Sequence, residues 1–153
     1  RALTHAGRCL ARLRRFRALP CAGPPCRIRS MATVHQGSCH CGAVRMKLPS
    51  TPDVATACNC SKCRRIGGPW VYFEYGTVEI QGHPEATAEY IWGDKTLRTI
   101  HCRTCGCVTH WEPLQPTPGC KHGVNLGNFD PKLIAAVRVR RFDGADTWTF
   151  IDD

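Results

Sequence analysis

Residues 31–153 are predicted to form one mainly β domain, and three observations support this. Val44, Met46 and Leu48 alternate with charged residues, as they do in a strand with one buried face. The segment 70–75 is rich in aromatic and β-branched residues, which favour strands. Glycine and proline punctuate the sequence at short intervals, and no stretch predicts a helix longer than about two turns. Many short strands joined by turns are therefore expected.

The elements follow one another as short segments. Two short helices are expected among the strands. The first covers 61–66, with Ser61 as the N-cap residue whose hydroxyl accepts from a free backbone N–H. The second covers 131–136, with Pro131 at the first helical position, where its missing N–H costs nothing. The proline-rich stretch 113–119 predicts a loop within the domain. The expected strands cover 44–48, 70–75, 78–80, 90–92, 97–100, 108–111, 137–139 and 148–151.

The net charge of +9 is concentrated at the beginning of the chain. Residues 1–30 contain eight arginines and no acidic residue, whereas residues 31–153 contain 13 basic and 12 acidic residues. A nearly neutral body has no general attraction for phosphate backbones, so nucleic-acid binding is not expected. Three interpretations of residues 1–30 stay open: translation upstream of an initiator at Met31, an arginine-rich organellar transit segment, and a functional basic arm. We expect the segment to be disordered or absent from the native product.

Whether the cysteines form disulfide bonds or bind metal as thiolates depends on the cellular compartment of the protein. No stretch has the apolar length of a secretory signal or of a membrane span, so we expect a cytoplasmic protein with no membrane association. Twelve cysteines can in principle form a disulfide framework. A reducing compartment favours thiolates kept for metal instead, and a Cys-x-Cys pair is too close to bridge without strain.

Seven cysteines stand in three clusters. Seven thiolates fill one closed four-ligand site and leave three for a second site. Structural zinc has four protein ligands, whereas catalytic zinc keeps one position open, so this count predicts two zinc ions per chain, one structural and one labile or catalytic. Zinc is favoured over an iron–sulfur cluster because none of the ferredoxin spacings is present. The clusters are Cys39 and Cys41, then Cys58, Cys60 and Cys63, then Cys102 and Cys105.

The spacing indicates how these ligands pair. Residues i and i+2 of a strand point to the same face, so Cys39 and Cys41 can approach one metal together. Cys102 and Cys105 have the knuckle spacing of zinc ribbons, and the two distant pairs would close the domain around a structural zinc. The remaining three thiols, which we call the cup, lie within six residues of one another. Its fourth position is taken by water or a substrate thiol, or by a fourth protein ligand. The candidates for that ligand are His40, His101, Cys107 and Cys120.

These motifs resemble those of the glutathione-dependent formaldehyde-activating enzyme family, whose domain is shared with centromere protein V. The resemblance covers roughly residues 34–142, nearly the whole domain. Three ordered cysteine motifs are far more specific than any single Cys-x-x-Cys pair. The matching segments are 37–44, 58–64, 102–106, 123–127 and Asp130-Pro131.

The resemblance implies a β-rich, tent-like zinc fold of the Mss4-like group, built from short antiparallel strands. It implies a structural zinc on Cys39, Cys41, Cys102 and Cys105, and a more labile zinc on the cup. It further implies a carbon–sulfur lyase-like enzyme that joins or splits a thiol such as glutathione and a small carbonyl compound such as formaldehyde. In the expected mechanism the thiol enters the open position on the cup zinc, loses its proton and attacks the carbonyl carbon. The resemblance carries over no catalytic or glutathione-contacting residue.

Residues around the cup have candidate roles beside ordinary structural ones. Arg64 and Arg65 can hold a glutathione carboxylate or can form a solvated charge pair. Asn59 and Ser61 can hydrogen-bond a ligand, but such residues more often cap helices or form turns. The aromatic residues Trp70, Tyr72 and Phe73 are expected in the core. Four histidines are expected to be structural or exposed rather than catalytic, namely His40, His101, His110 and His122.

Other functions compete with the lyase interpretation. The main rival is a zinc-stabilised binding module for protein or nucleic acid that does not catalyse a reaction. A second is zinc storage or delivery through the cup. An alternative within the same fold has the tripeptide displace the cup zinc, which would make that site regulatory.

Overall fold

The computed structural model describes residues 33–151, so the predictions for residues 1–30 lie outside the described residues. Eleven strands and two short helices make up the described part. The strands are β1 His35–Ser38, β2 Arg45–Leu48, β3 Val54–Cys58, β4 Trp70–Glu74, β5 Glu79–Gln81, β6 Thr87–Ile91, β7 Leu97–Cys102, β8 Val108–Pro113, β9 Lys121–Asn125, β10 Arg138–Asp143 and β11 Thr149–Phe150. The helices are α1 Cys63–Ile66 and α2 Pro131–Ala136, and a 3-10 turn covers Leu126–Asn128.

The strands form two sheets. The smaller has the order β1-β2-β5, and the larger has the order β11-β10-β3-β4-β9-β8-β7-β6. Every pairing is antiparallel except that of β3 with β10. The mainly β prediction is therefore confirmed, and the arrangement is compatible with the tent-like fold that the resemblance implies.

The parallel pairing of β3 with β10 matters for the site. Cys58 at the end of β3 lies opposite Phe142 near the end of β10. Because parallel strands run in the same direction, the segments that follow both strands begin at the same edge of the sheet. The cup residues after β3 thus meet the turn that follows β10.

The apolar core contains side chains from both sheets. Met46 and Leu48 alternate inward along β2, and Val71 and Val124 pair across the neighbouring strands β4 and β9. A second, smaller buried cluster surrounds Cys39 and contains Val44 and Cys102.

The second helix confirms its prediction, because it begins at Pro131 and the Asp130 side chain accepts from the N–H of Lys132 at 2.8 Å. The first helix begins later than expected, at Cys63, and Ser61 as its N-cap is wrong. The sulfur of Cys60 accepts from the N–H of Cys63 at 3.4 Å instead. A cysteine of the cup therefore replaces the serine hydroxyl at this helix start.

Three strands were not predicted, namely β1, β3 and β9. Their sequences are short and rich in alanine, glycine or polar residues, so they show no clear apolar period. β3 and β9 are central strands with partners on both sides, and these ladders hold them regardless of local propensity. In the described residues, no helix is long and apolar enough to cross a membrane.

Candidate metal centres and the cavity beside them

The first candidate metal centre joins the two ends of the cysteine pattern. The sulfur atoms of Cys39, Cys41, Cys102 and Cys105 all lie within 4.8 Å of one another. The Sγ atom of Cys41 lies 3.6 Å from the Sγ atoms of both Cys39 and Cys102. A tetrahedral zinc–thiolate centre has sulfur atoms about 3.8 Å apart, given Zn–S bonds of about 2.3 Å. A disulfide needs about 2 Å, so the four thiols fit a metal and do not fit disulfides.

Backbone amides support this centre. The N–H of Val44 donates to the Cys39 sulfur at 3.3 Å. In the turn after β7, the backbone N–H of Cys107 lowers the pKa of Cys105 to about 5, and the backbone N–H of Cys105 lowers the pKa of Cys102. Such donors stabilise thiolates, the form that binds metal.

The second candidate centre is the cup. Cys58 ends β3, Cys60 lies in the following turn, and Cys63 begins α1. Their sulfur atoms lie within 4.8 Å of one another, and no fourth His, Cys, Asp or Glu from residues 33–151 belongs to this group. The proposed fourth ligands, namely His40, His101, Cys107 and Cys120, are therefore not gathered at the cup. A zinc ion held here would keep one position for another ligand.

Proton affinities in the cup differ from one thiol to the next. Burial raises the pKa of Cys58, and it raises the pKa of Cys63 to about 12. Burial opposes ionisation of Cys60 as well, but the backbone N–H of Cys63 and the neighbouring thiols lower its pKa. Three thiolates at such short range repel one another, so a bound cation is needed to ionise them together.

Asn59 has a structural task in the cup loop. Its side-chain amide donates to Asp143 at 2.8 Å, and its Oδ1 atom accepts from the N–H of Ala145 at 2.9 Å. Its backbone N–H donates to the carbonyl of Phe142 at 3.2 Å. Both polar atoms of the side chain are thus engaged, so Asn59 ties the cup to the turn after β10.

Gly144 allows this turn to approach the cup closely. A Cβ atom at this position would lie 2.6 Å from the sulfur of Cys58 and 3.2 Å from the Cβ atom of Cys60. Real Cβ atoms do not tolerate the first distance, so any larger residue must displace the turn or the thiol.

A cavity of about 680 Å³ opens beside the cup, and all three cup thiols line it. Its walls are mostly aromatic. All four tryptophans of the chain contribute to it, although they lie on different elements of the fold. The aromatic lining residues are Trp70, Tyr72, Trp92, Trp111, Phe142, Trp148 and Phe150.

The sequence interpretation missed this lining. Trp70 is buried in the core, as expected, and also lines the cavity, and Phe73 packs against the core as expected. Tyr72 was expected in the core as well, but it is 40% exposed and lines the cavity. Trp111 reaches the cavity because the facing residue on β9 is Gly123, where an added Cβ would overlap the indole ring. The one sign of this position in the sequence was a large aromatic residue, Trp111, and a glycine, Gly123, that could face each other on neighbouring strands.

The C-terminal aromatic residues form one wall together. The ring of Phe142 lies edge-on to Trp148 at 5.7 Å and to Phe150 at 5.1 Å between centroids. Such edge-to-face contacts order the turn without filling the cavity.

Basic residues surround the cup. Lys62 lines the cavity, and its ammonium group donates to Thr99 at 2.9 Å. Within residues 33–151, Lys62 has no acidic partner at ion-pair distance. Arg64 lines an adjoining groove beside Cys60, and Arg65 lines another groove next to Lys62. Three basic residues therefore line the cavity or the two grooves that adjoin it.

Tyr72 is a polar group in the cavity wall. Burial raises its pKa, although a hydrogen bond with Thr56 opposes the shift. The phenol thus stays protonated at neutral pH and can donate a hydrogen bond into the cavity.

Comparison with known proteins agrees with this geometry. The family model described as glutathione-dependent formaldehyde-activating enzyme matches residues 34–143. Among solved structures, the chain is similar to a crystal structure of a Rhodobacter sphaeroides protein determined by structural genomics. The two are 30% identical, with a TM-score of 0.54, and the match covers 68% of this chain and 98% of the other.

Proposed function

Because the chain belongs to the glutathione-dependent formaldehyde-activating enzyme family, we propose that it is a carbon–sulfur lyase that joins glutathione to formaldehyde or splits the adduct. The observation that carries the proposal is the cup, since its three thiols open into an aromatic cavity and have no fourth protein ligand within the described residues. The four-cysteine centre, closed and next to the buried cluster around Cys39, would hold a structural zinc.

The cup fits zinc by its donor set, because three thiolates at close range match the ligands that zinc prefers. When bound, a zinc ion here would lower the pKa of an incoming thiol so that the thiolate forms near neutral pH. The residues of the chain supply the position and the surroundings. Asn59 and Gly144 keep the cup against the turn after β10, and aromatic side chains line the cavity beside it.

The charges around the cup suit glutathione, which carries two carboxylates. Lys62 lines the cavity beside the cup, and Arg64 and Arg65 line the two grooves that adjoin it. A carboxylate near Lys62 would meet an ammonium group without an acidic partner, and the two guanidinium groups offer paired N–H donors. We assign the carboxylates to these residues.

In the reaction, the sulfur of glutathione forms a bond with the carbonyl carbon of formaldehyde. The S–H bond of the thiol breaks and its proton passes to water. The electron pair of the C=O bond moves to oxygen, and that oxygen takes up one proton from water, which gives the S-hydroxymethyl adduct. Tyr72 lines the cavity and would donate a hydrogen bond to that oxygen as its negative charge develops. The reverse reaction would use the same groups.

A direct assay tests the proposal. The adduct also forms without a catalyst, so the quantity to measure is the exchange rate between free formaldehyde and the adduct, by NMR with ¹³C-formaldehyde. The zinc-loaded protein should raise this rate, Cys60→Ala should abolish the increase, and Cys120→Ser should retain it as a matched control. An exchange rate equal to that of the buffer would refute the lyase proposal and favour a binding module.

A further inference from the structure

A third group of metal-ligating side chains lies away from the cysteines. His110 and Glu112 are separated by one residue on β8 and therefore point to one face, whereas Trp111 between them points to the cavity. His83 reaches this face from the segment between β5 and β6. One ligand atom from each of the three lies within 4.8 Å of the other two.

The hydrogen bonds of His83 determine which ring nitrogen carries its proton. The Nδ1 atom lies 2.8 Å from the hydroxyl of Thr87. That hydroxyl donates its single proton to the carbonyl of Pro84 at 3.0 Å, so it can only accept from the ring. The Nδ1 atom of His83 therefore carries a proton, and in a neutral ring the Nε2 atom would be a lone-pair donor.

The same arrangement recurs at His110. Its Nδ1 atom lies 3.0 Å from the hydroxyl of Thr109, which donates to the carbonyl of Ile100 at 3.4 Å. The ring is fully buried, and its Nε2 atom finds no hydrogen-bond partner among residues 33–151. Burial also lowers the pKa of His110 to about 3, so the ring is neutral. A buried lone pair without a partner is costly unless a ligand binds it.

The carboxylate of Glu112 completes the group. Its Oε1 atom accepts from Nε and Nη2 of Arg98 at 2.7 and 2.6 Å, and the Nε2 atom of His83 lies 3.4 Å from the same oxygen. When both rings are neutral and protonated at Nδ1, two lone pairs and a carboxylate converge with no proton between them. Arg98 also donates to Glu89 at 3.0 Å, so its positive charge is shared between two carboxylates.

We propose that His83, His110 and Glu112 form a third metal site, which binds zinc. Two imidazoles and a carboxylate are an established zinc ligand set. Thr87 and Thr109 would act as the outer partners that fix the ring tautomers, and Arg98 would orient the carboxylate. A surface cavity of about 210 Å³ lined by His83 and Arg98 gives an ion a route to the partly exposed His83. The site would join the segment before β6 to β8.

The rival explanation is that His83 is an imidazolium ion paired with Glu112, which needs no metal. The two explanations differ at one atom, because Nε2 of His83 carries a proton in the ion pair and a metal in the proposed site.

Zinc titration of the full chain, already loaded at its cysteines, tests the proposal when the histidine rings are followed by ¹H–¹⁵N NMR. This readout is independent of any activity at the cup. We expect one further zinc equivalent to shift the Nε2 resonances of His83 and His110. The ring of His122 should not shift, because it is likewise buried with an unpartnered Nε2 but lies outside the group.

Variants give the second arm. Thr87→Val, which keeps the shape but removes the hydroxyl, should weaken this zinc binding roughly 10- to 100-fold. His83→Gln should abolish it, and His122→Gln should leave it unchanged. Rings that do not respond to saturating zinc, a proton that stays on Nε2 of His83, or full zinc affinity in His83→Gln would each overturn the proposal.

Discussion

The side-chain amide of Asn59 donates a hydrogen bond of 2.8 Å to the carboxylate of Asp143. This bond joins the loop between the first two cup thiols to the turn that ends β10, 84 residues further along the chain. The same carboxylate accepts from the hydroxyl and the N–H of Thr147, so it orders the turn that carries Trp148. One carboxylate thereby couples the candidate metal cup to one wall of the cavity.

Asp143→Asn tests this coupling. An amide oxygen accepts hydrogen bonds from Asn59 and Thr147 less strongly than a carboxylate does. The cup should therefore no longer be held in one position relative to the wall of the cavity. We expect a loss of roughly tenfold in the rate of adduct exchange, the lower end of what outer partners of metal ligands contribute, with little change in far-UV circular dichroism. Asp146→Asn, in the same turn, is the matched control and should retain the rate.

The ionisation of the Asp143 carboxyl group determines how the difference in rate between the wild type and Asp143→Asn depends on pH. Hydrogen bonds from Asn59 and Thr147 lower the pKa of Asp143 to about 2. A depressed pKa means that the stabilisation is fully present above the unfolded value of 3.8 and is lost as the pH falls towards 2. The ratio of wild-type to Asp143→Asn rates should therefore stay constant between about pH 5 and pH 9. A ratio that changes within this range would mean that another group controls the loop.

Gly144→Ala should damage the cup specifically. The added methyl group would stand 2.6 Å from the sulfur of Cys58, so either the thiol or the turn must move. We expect faster release of about one zinc equivalent to a mild chelator, while the zinc of the four-cysteine centre stays bound. Release of metal can be followed with a colorimetric chelator. Gly76→Ala serves as the control for a general loss of stability, because it strains a turn with a φ of 84° but meets no atom within 4 Å. Equal release rates in the two variants would contradict the close approach.

Cys102→Ser should prevent folding, because the four-cysteine centre joins the segment after β1 to the end of β7. Loss of one ligand from a closed structural site removes metal-binding free energy that is also folding free energy. The expected result is insoluble or unfolded protein by circular dichroism. Cys120→Ser, a partly buried cysteine outside both groups, should fold normally. A folded, fully zinc-loaded Cys102→Ser protein would refute this pairing of the cysteines.

Tyr72→Phe should lower kcat about 100-fold if the phenol donates to the carbonyl oxygen during the reaction. The change removes one hydroxyl and keeps the ring that lines the cavity. Tyr75→Phe is closely matched, since Tyr75 is 37% exposed and Tyr72 is 40% exposed, but Tyr75 does not line the cavity. Equal rates in both variants would show that Tyr72 takes no part in the mechanism. Another group would then have to donate to the carbonyl oxygen.

The grouping of the cysteines could be predicted because the spacing of ligands is local. Cys58, Cys60 and Cys63 lie within one turn and the start of one helix, and a Cys-x-x-Cys turn brings Cys102 and Cys105 together through a few backbone bonds. Only the whole fold brings Cys39 and Cys41 close to Cys102 and Cys105, but the count of seven thiols restricted how the three clusters could be combined. The mainly β class followed from the same kind of short-range pattern.

The cavity could not be predicted in this way. Its walls come from β4, β8, the turn between β6 and β7, and the segment after β10. These elements meet because β10 pairs in parallel with β3, and nothing in the sequence of β3 marks it as a strand. Trp148 is an exposed aromatic residue in a turn, and only the sheet order shows that it faces the cup.

The central claim is that the cup keeps one position open for a substrate thiol. It is tested most directly by replacing the cup zinc with cobalt(II), keeping zinc at the four-cysteine centre, and titrating with glutathione. S-methylglutathione, which has the same charges but no free thiol, is the control. We expect the thiolate-to-cobalt absorption to grow saturably with glutathione and not to change with the methylated tripeptide. An unchanged spectrum, or release of cobalt into solution, would contradict it.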